Sequence, residues 1–364
     1  MRQDERMQQL FESINQSLSN DSRCIERHLF AFTYNIIPIN TYLGLVQWVK
    51  EAKSLRDFVE FTMTDKTILN EISIKYQEWI MQANDENSNV KSKCYKQALL
   101  KYSPDEVEAK IKELTGLLDW DLLRKTFVKI TSSIESFFKL RQNFILSYAV
   151  MCTVDWIAGI GDRRLDNILI EVSTGKCFGI DHKMVFGTGI DQPVPELVPF
   201  RLTSQIMGLL RPFTPKDLFG ASMSHVLAAL RNEKNLILIY LNMLLLEDLK
   251  WDHLVEERWL QDCNHYDGEW LPKFKLEIAQ KKLNGEKPSL IMINELSSNH
   301  NNHENQYFSI NKCILRGNEF KHDNIRAHIK DCNLTPEEQM LCLVDQATDV
   351  NILGRICVEW YPFV

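Results

Sequence analysis

Asp162, Asn167 and Asp181 are the residues of this chain whose types and spacing could do chemistry. Transfer of a phosphoryl group from ATP needs such a set: one carboxylate for the attacking hydroxyl, and an amide plus a second carboxylate to hold Mg²⁺. The segment that links them reads as a hairpin. Asn167 to Val172 and Lys176 to Ile180 are apolar, β-prone runs joined by Ser173-Thr174-Gly175. Pairing those runs returns Asn167 and Asp181 to one end, which a shared metal ion requires. Asp and Asn are also common turn residues. The same positions therefore admit a structural reading, with Asp162 capping a helix, Asn167 closing a turn and Asp181 pointing elsewhere.

Elements that must position such a site are legible on both sides of it. Met7, Leu10, Phe11, Ile14 and Leu18 recur at helical spacing, so the chain opens into an amphipathic helix that ends near Asn20. Phe32 to Ile37 and Leu43 to Val49 are strand-like runs around Pro38 and Asn40. The long periodic stretch Ile134 to Ile157, with Phe137, Phe138, Leu140, Phe144, Ile145, Tyr148 and Trp156 as core positions, leads straight into Gly159-Ile160-Gly161-Asp162-Arg163. Helices are expected over Leu218 to Arg231, Leu236 to Leu249 and Trp270 to Leu283. A last one begins near Thr335-Pro336-Glu337-Glu338, an N-cap with proline at the first helical position. Residues 84 to 93 read as a polar loop, and Ser297 to Asn305 as a polar linker. The linker's His300 and His303 have no other ligand cluster near them in sequence.

Composition narrows the class. The 364 residues are 45% hydrophobic and 25% charged, an ordinary globular profile, and the net charge of −7 argues against the chain being itself a nucleic-acid grip. The longest apolar run, Leu236 to Leu246, is too short for a bilayer and carries Asn242, so no membrane partner is expected. No signal peptide is visible. Nine scattered cysteines without a Cys-x-x-Cys read as buried thiols of a reducing compartment.

Three strings together carry a resemblance. They are Gly159 to Arg163 with Gly179-Ile180-Asp181, then Pro193-Val194-Pro195-Glu196-Leu197-Val198-Pro199-Phe200-Arg201-Leu202-Thr203, then Cys342-Leu343-Val344-Asp345-Gln346-Ala347-Thr348-Asp349-Val350-Asn351-Ile352-Leu353-Gly354-Arg355. They resemble the phosphatidylinositol-3-kinase-related protein kinases, the last string their terminal FATC segment, and the likeness covers nearly the whole chain. It implies an α+β, bilobal protein-kinase-like fold of the phosphatidylinositol-3/4-kinase type, with an α-rich C-lobe, a truncated N-lobe and C-terminal FATC helices. The implied division is residues 1–48, an N-lobe remnant; 49–260, the C-lobe; 261–332, a helical and linker region; and 333–364, the FATC segment, which should pack on the activation region.

By the same resemblance, Asp162 orients and deprotonates the substrate hydroxyl, and Arg164 stands beside the transferring phosphate. Asn167 and Asp181 are magnesium ligands. Trp48 stacks on adenine, Val49 lies at the hinge, and Tyr34, Ile37, Val46, Leu169 and Ile180 line the apolar walls. Asp4, in Arg2-Gln3-Asp4, would pair with an ATP-binding lysine upstream of Met1, where the glycine-rich phosphate loop would also lie. The chain then looks like the C-terminal piece of a larger kinase. The implied parent is a nuclear serine/threonine kinase using ATP and Mg²⁺, preferring a following Gln. It would act in double-strand-break repair by non-homologous end joining with the Ku heterodimer at DNA ends.

The chain departs from the family pattern at two places in the site. Arg164 replaces the histidine of Asp-Arg-His, and Asp181-His182-Lys183 replaces Asp-Phe-Gly, which puts an ammonium beside the metal position and removes the glycine's backbone freedom. A catalytically weak or dead pseudokinase scaffold is therefore the second reading. A phosphoinositide kinase is the third. It is disfavoured because His182 to Phe200 offers only Lys183 as a firm cation, opposed by Asp191 and Glu196. Aminoglycoside-type phosphotransferases share Gly-Asp-x₄-Asn and Ile-Asp but lack Pro-Phe-Arg-Leu-Thr and the terminal helix.

Overall fold

The computed structural model describes residues 2–40, 43–83, 91–246, 270–298, 305–321 and 323–364. Most of the expected polar loop at 84 to 93, Cys263, and His300 and His303 of the expected linker lie outside them. So does the expected domain boundary at 260.

The opening helix, Arg2–Leu18, buries Met7, Leu10, Phe11, Ile14 and Leu18 along one face. Asp4 and Glu5 occupy its first turn, where carboxylates complement the positive end of the helix dipole. Five short strands in two sheets follow among the described residues. Strands β1 (Ile36–Pro38) and β2 (Gly44–Val46) form an antiparallel pair with Ile36 opposite Val46. Strands β3 (Ala52–Ser54), β4 (Ile168–Glu171) and β5 (Cys177–Gly179) form an antiparallel sheet in that order, with Ser54 opposite Leu169 and Ile168 opposite Gly179. The β4–β5 pair is the expected hairpin. Outside the strands, Tyr34, Gln47, Trp48, Val49 and Ile180 line a cavity.

The helix Ile134–Ala158 exposes Ile134 and Phe138 in its first turns, but from Tyr148 onward it is buried nearly all round, unlike a surface helix. Its start is fixed by a capping box in which Ser133 and Ser136 satisfy each other's backbone N–H groups. Gly159 ends it at φ 64, and a Cβ there would fall on the backbone nitrogen of Gly187. Phe138, expected in the core, is 55% exposed. It follows Phe137 directly, and two adjacent residues on a helix cannot share the narrow buried stripe of its first turns. Leu218–Asn232 packs on this helix, and Pro336–Thr348 packs on Leu218–Asn232 in turn.

Arg201 docks the C-terminal segment. It is fully buried, donates from Nη1 to the carbonyls of Tyr361 and Val364 (both 3.2 Å), bonds the Trp360 carbonyl from Nη2, and lies 3.8 Å over the Trp360 ring. Trp360 and Phe363 are buried, so the segment packs on the Pro-Phe-Arg-Leu-Thr region as expected. Cysteine burial is less uniform than expected: Cys24, Cys94, Cys152, Cys177 and Cys342 are buried, whereas Cys313 and Cys332 are exposed. Among the described residues, no helix is long and apolar enough to cross a membrane.

Candidate active site

The long helix and the β4–β5 hairpin bring Asp162 and Asn167 into contact and set Asn167 next to the residue before Asp181. Beyond the ladder, the N–H of Ile180 donates to the carbonyl of Asn167 at 3.0 Å, which sets Asn167 beside the residue preceding Asp181. Asn167 Nδ2 donates to the Asp162 carbonyl (2.8 Å) and to Asp162 Oδ2 (3.0 Å). Asn167 therefore directs its amide hydrogens at Asp162, and its carbonyl oxygen is the atom it has to offer a cation. Asp162 and Asp181 both adopt left-handed backbone, at φ 54 and φ 56. Such a conformation is sparsely populated outside glycine and persists where surrounding contacts over-determine it.

Those contacts can be named. The Asp162 N–H donates to Glu196 Oε2 at 2.9 Å and lies 3.2 Å from Oε1. Glu196 is packed so closely that a Cβ on Gly161 would come within 2.8 Å of its Oε2. Burial raises the Glu196 carboxyl above its usual range, against the Asp162 hydrogen bond that lowers it. The N–H of Gly161 donates to the Met184 carbonyl (2.9 Å). Buried Arg163 bonds the carbonyls of Gly161 (3.0 Å) and Ile180 (3.1 Å), and its own carbonyl accepts from Arg201 Nε at 2.9 Å. The catalytic-type loop, the residues after β5 and the Pro-Glu segment thus form one lattice. Glu196, Arg163 and Arg201 were not singled out as site residues, although each lies inside a quoted motif.

Two cations sit against the two carboxylates. Arg164 Nε is 2.6 Å from Asp162 Oδ1, and its Nη2 donates to Oδ2 at 3.1 Å. Lys183 Nζ is 3.0 Å from Asp181 Oδ2, with the lysine side chain 78% exposed. Asp191 and Glu196, expected to oppose Lys183, face elsewhere. Asp191 lies 3.4 Å from buried Lys275, and Glu196 is engaged by Asp162.

Asp4 is engaged by His182. The His182 N–H donates to Asp4 Oδ1 at 3.0 Å, and His182 Nδ1 lies 3.6 Å from the same oxygen. Burial would raise the Asp4 carboxyl, but the His182 contacts outweigh it and hold it well below the usual carboxylate range. His182 is itself buried edge-on against Phe11 at 5.4 Å, and burial lowers its pKa from the ordinary value.

Beside the trio lies a cavity of about 330 Å³, within the range of small-molecule sites. Tyr34, Val46, Trp48, Val49, Leu169 and Ile180 line it as expected, and Asp4 and Asp181 border it too. Ile37 does not. It is 58% exposed, and Ile36 lines the cavity instead, because neighbouring strand residues face opposite ways. Phe178, stacked on Phe32 at 4.4 Å, closes one side. Trp48 is 84% exposed, an indole left with one face on the cavity and little else to touch. Apolar walls and an unburied aromatic plate suit a flat heteroaromatic base.

Residues 1–251 match the phosphatidylinositol 3- and 4-kinase family. Across its whole length the chain is 35% identical to the DNA-dependent protein kinase catalytic subunit of Xenopus laevis and 28% identical to the serine/threonine-protein kinase TEL1 of Saccharomyces cerevisiae. It covers 9% of the first and 11% of the second, so it spans about a tenth of the length of these curated relatives. Among solved structures, the open conformation of CtTel1 shares its fold, with a TM-score of 0.63 at 20% identity, covering 100% of this chain and 11% of that one.

Proposed function

The chain belongs to the phosphatidylinositol 3- and 4-kinase family, and from that premise we propose that it carries the catalytic lobe of a protein serine/threonine kinase of the DNA-dependent protein kinase type. The observation that supports this reading is the Asp162–Asn167 hydrogen bond, with Asn167 bonded through its backbone to the residue before Asp181, and with Asp181 bordering an apolar cavity that has an exposed tryptophan plate. The relatives named as protein kinases support the substrate class.

In this reading the adenine of ATP occupies the cavity, stacked on Trp48 and walled by Tyr34, Val46, Leu169 and Ile180, with Val49 at its edge. Asp162 orients the incoming Ser or Thr hydroxyl and receives its proton, while Arg164 holds positive charge beside the same carboxylate. Asn167 and Asp181 are the residues that would hold magnesium, whose oxygen-only coordination their side chains can supply. Bound there, the ion neutralises charge on the transferring phosphates. The whole protein would act in the nucleus in non-homologous end joining, on sites followed by Gln, with the Ku heterodimer and DNA ends engaged through other parts of it. Residues 333–364 serve as the FATC segment.

The test is phosphate incorporation from ATP into Ser-Gln peptides by the full-length protein. Asp181→Ala should abolish it and Arg164→His should raise it several-fold. Wild-type incorporation that neither change alters would sink the reading. A second reading, a weak or inactive pseudokinase that binds nucleotide, is favoured by the Arg164–Asp162 and Lys183–Asp181 pairs. Under it ATP binds and no incorporation is detected in wild type or in the Arg164→His protein.

A further inference from the structure

Asp181 borders the cavity and Asp162 is hydrogen-bonded to Asn167, and each of these two carboxylates has a cation of its own chain two residues further on. Arg164 hydrogen-bonds Asp162 from Nη2, with Nε close by, in a pair whose carboxylate is only 12% exposed. Lys183 touches Asp181 from the solvent side. The two pairs differ physically. The first is a part-buried ion pair with a charge-assisted hydrogen bond, the kind that holds its geometry. The second has an exposed lysine, and such pairs are worth little and exchange readily. Lys183 is therefore a charge tethered at the metal position and free to turn from Asp181 to any anion placed beside it.

A divalent ion at Asn167 and Asp181 would have to displace the ammonium from Asp181 Oδ2 and then sit close to it, with like charges repelling. A triphosphate without a metal meets the opposite situation, because the exposed Lys183 ammonium can leave Asp181 for the phosphates while Arg164 stays on Asp162 and neutralises that carboxylate. We propose that Lys183, with Arg164, takes over part of the charge-neutralising role of magnesium, so that this site binds metal-free ATP nearly as well as its magnesium complex. The inference rests on the nucleotide reading of the cavity but not on turnover.

Neighbouring charges allow this assignment. Asp4, the other carboxylate bordering the cavity, is engaged by His182. Glu196 is turned to the Asp162 N–H, and Asp191 to Lys275. Their positions leave Asp181 as the acidic partner of Lys183, with no further carboxylate recorded against that ammonium among the described residues.

The experiment is calorimetric titration of the full chain with ATP at constant ionic strength, once with excess Mg²⁺ and once with EDTA, repeated on Lys183→Met. Lys183 is exposed, so this change leaves the core intact, and circular dichroism checks that. Expected are wild-type dissociation constants that agree within about threefold in the two buffers, and a Lys183→Met protein that loses about tenfold or more in EDTA alone. Wild-type binding that needs Mg²⁺ overturns the inference and leaves the nucleotide reading standing. Equal binding in both buffers by Lys183→Met overturns the assignment to Lys183. Absence of binding by wild type in either buffer overturns this inference and the nucleotide reading together.

Discussion

Asp162 sits at φ 54 because its N–H is taken by Glu196 and its carbonyl and carboxylate by Asn167. Glu196 is thus a positioning residue whose carboxylate need not touch substrate. Glu196→Ala leaves a part-buried N–H without its acceptor, at a cost of about 1–3 kcal/mol. Phosphoryl transfer should fall by more than stability does, and Glu196→Gln, which keeps an acceptor oxygen, should restore much of it. Peptide phosphorylation alongside urea melts of both variants checks this, and equal activity in the Ala and Gln proteins would refute it. Trp48 makes the converse case. Exposed as it is, Trp48→Ala should leave stability within about 0.5 kcal/mol. Nucleotide affinity should drop about tenfold or more if the indole stacks on a base. Unchanged affinity would return Trp48 to the status of an ordinary surface residue.

Among the elements, the Pro-Phe-Arg-Leu-Thr segment does the most joining. Arg201 reaches the carbonyl of Arg163 on one side and the last turn of the chain on the other. Burial lowers its pKa to about 9, so the guanidinium is retained by the carbonyls around it. Arg201→Met keeps bulk but removes these donors, leaving several buried carbonyls unpaired at a cost on the order of 3 kcal/mol or more. Thermal unfolding should show the loss, and limited proteolysis should show cleavage near residues 356–364 before the rest. A variant whose C-terminal segment stays as resistant as wild type would mean that apolar contacts of Trp360 and Phe363 alone hold it.

For the molecule as a whole, a buried acid in the long helix sets a pH dependence. Burial raises the pKa of Asp155 from 3.8 to about 7, and its Oδ2 has no hydrogen-bond partner. A carboxyl raised in the folded state holds its proton there while the unfolded chain has released it. Its contribution to stability is therefore greatest below about pH 4, declines as pH rises, and levels off above about pH 7. Wild type should lose stability across that window by a few kcal/mol more than Asp155→Asn, which cannot ionise. Denaturant melts of both proteins at pH 5 and pH 8 measure the difference, and parallel losses would show that Asp155 is not the group responsible.

Local periodicity was enough for the opening helix, the long helix and the β4–β5 hairpin, because each buries a face whose repeat is written in consecutive residues. The approach of Asn167 to the residue before Asp181 was legible for the same reason: a hairpin of near-equal arms returns its ends together whatever lies around it. Periodicity misplaced Phe138, since it tells which faces alternate but not which neighbour covers them, and the resemblance misplaced Ile37 by one strand position. Tertiary structure alone decided the partners of the charges. Glu196 lies thirty-four positions from Asp162 and Asp4 far from His182 along the chain, so no spacing rule could pair them. Whether a carboxylate near a site meets a backbone N–H, a buried lysine or an exposed ammonium depends on which distant segments crowd against it. That crowding follows from closing the core, and it is what distinguished the cations beside Asp162 and Asp181 from the acids that turned inward.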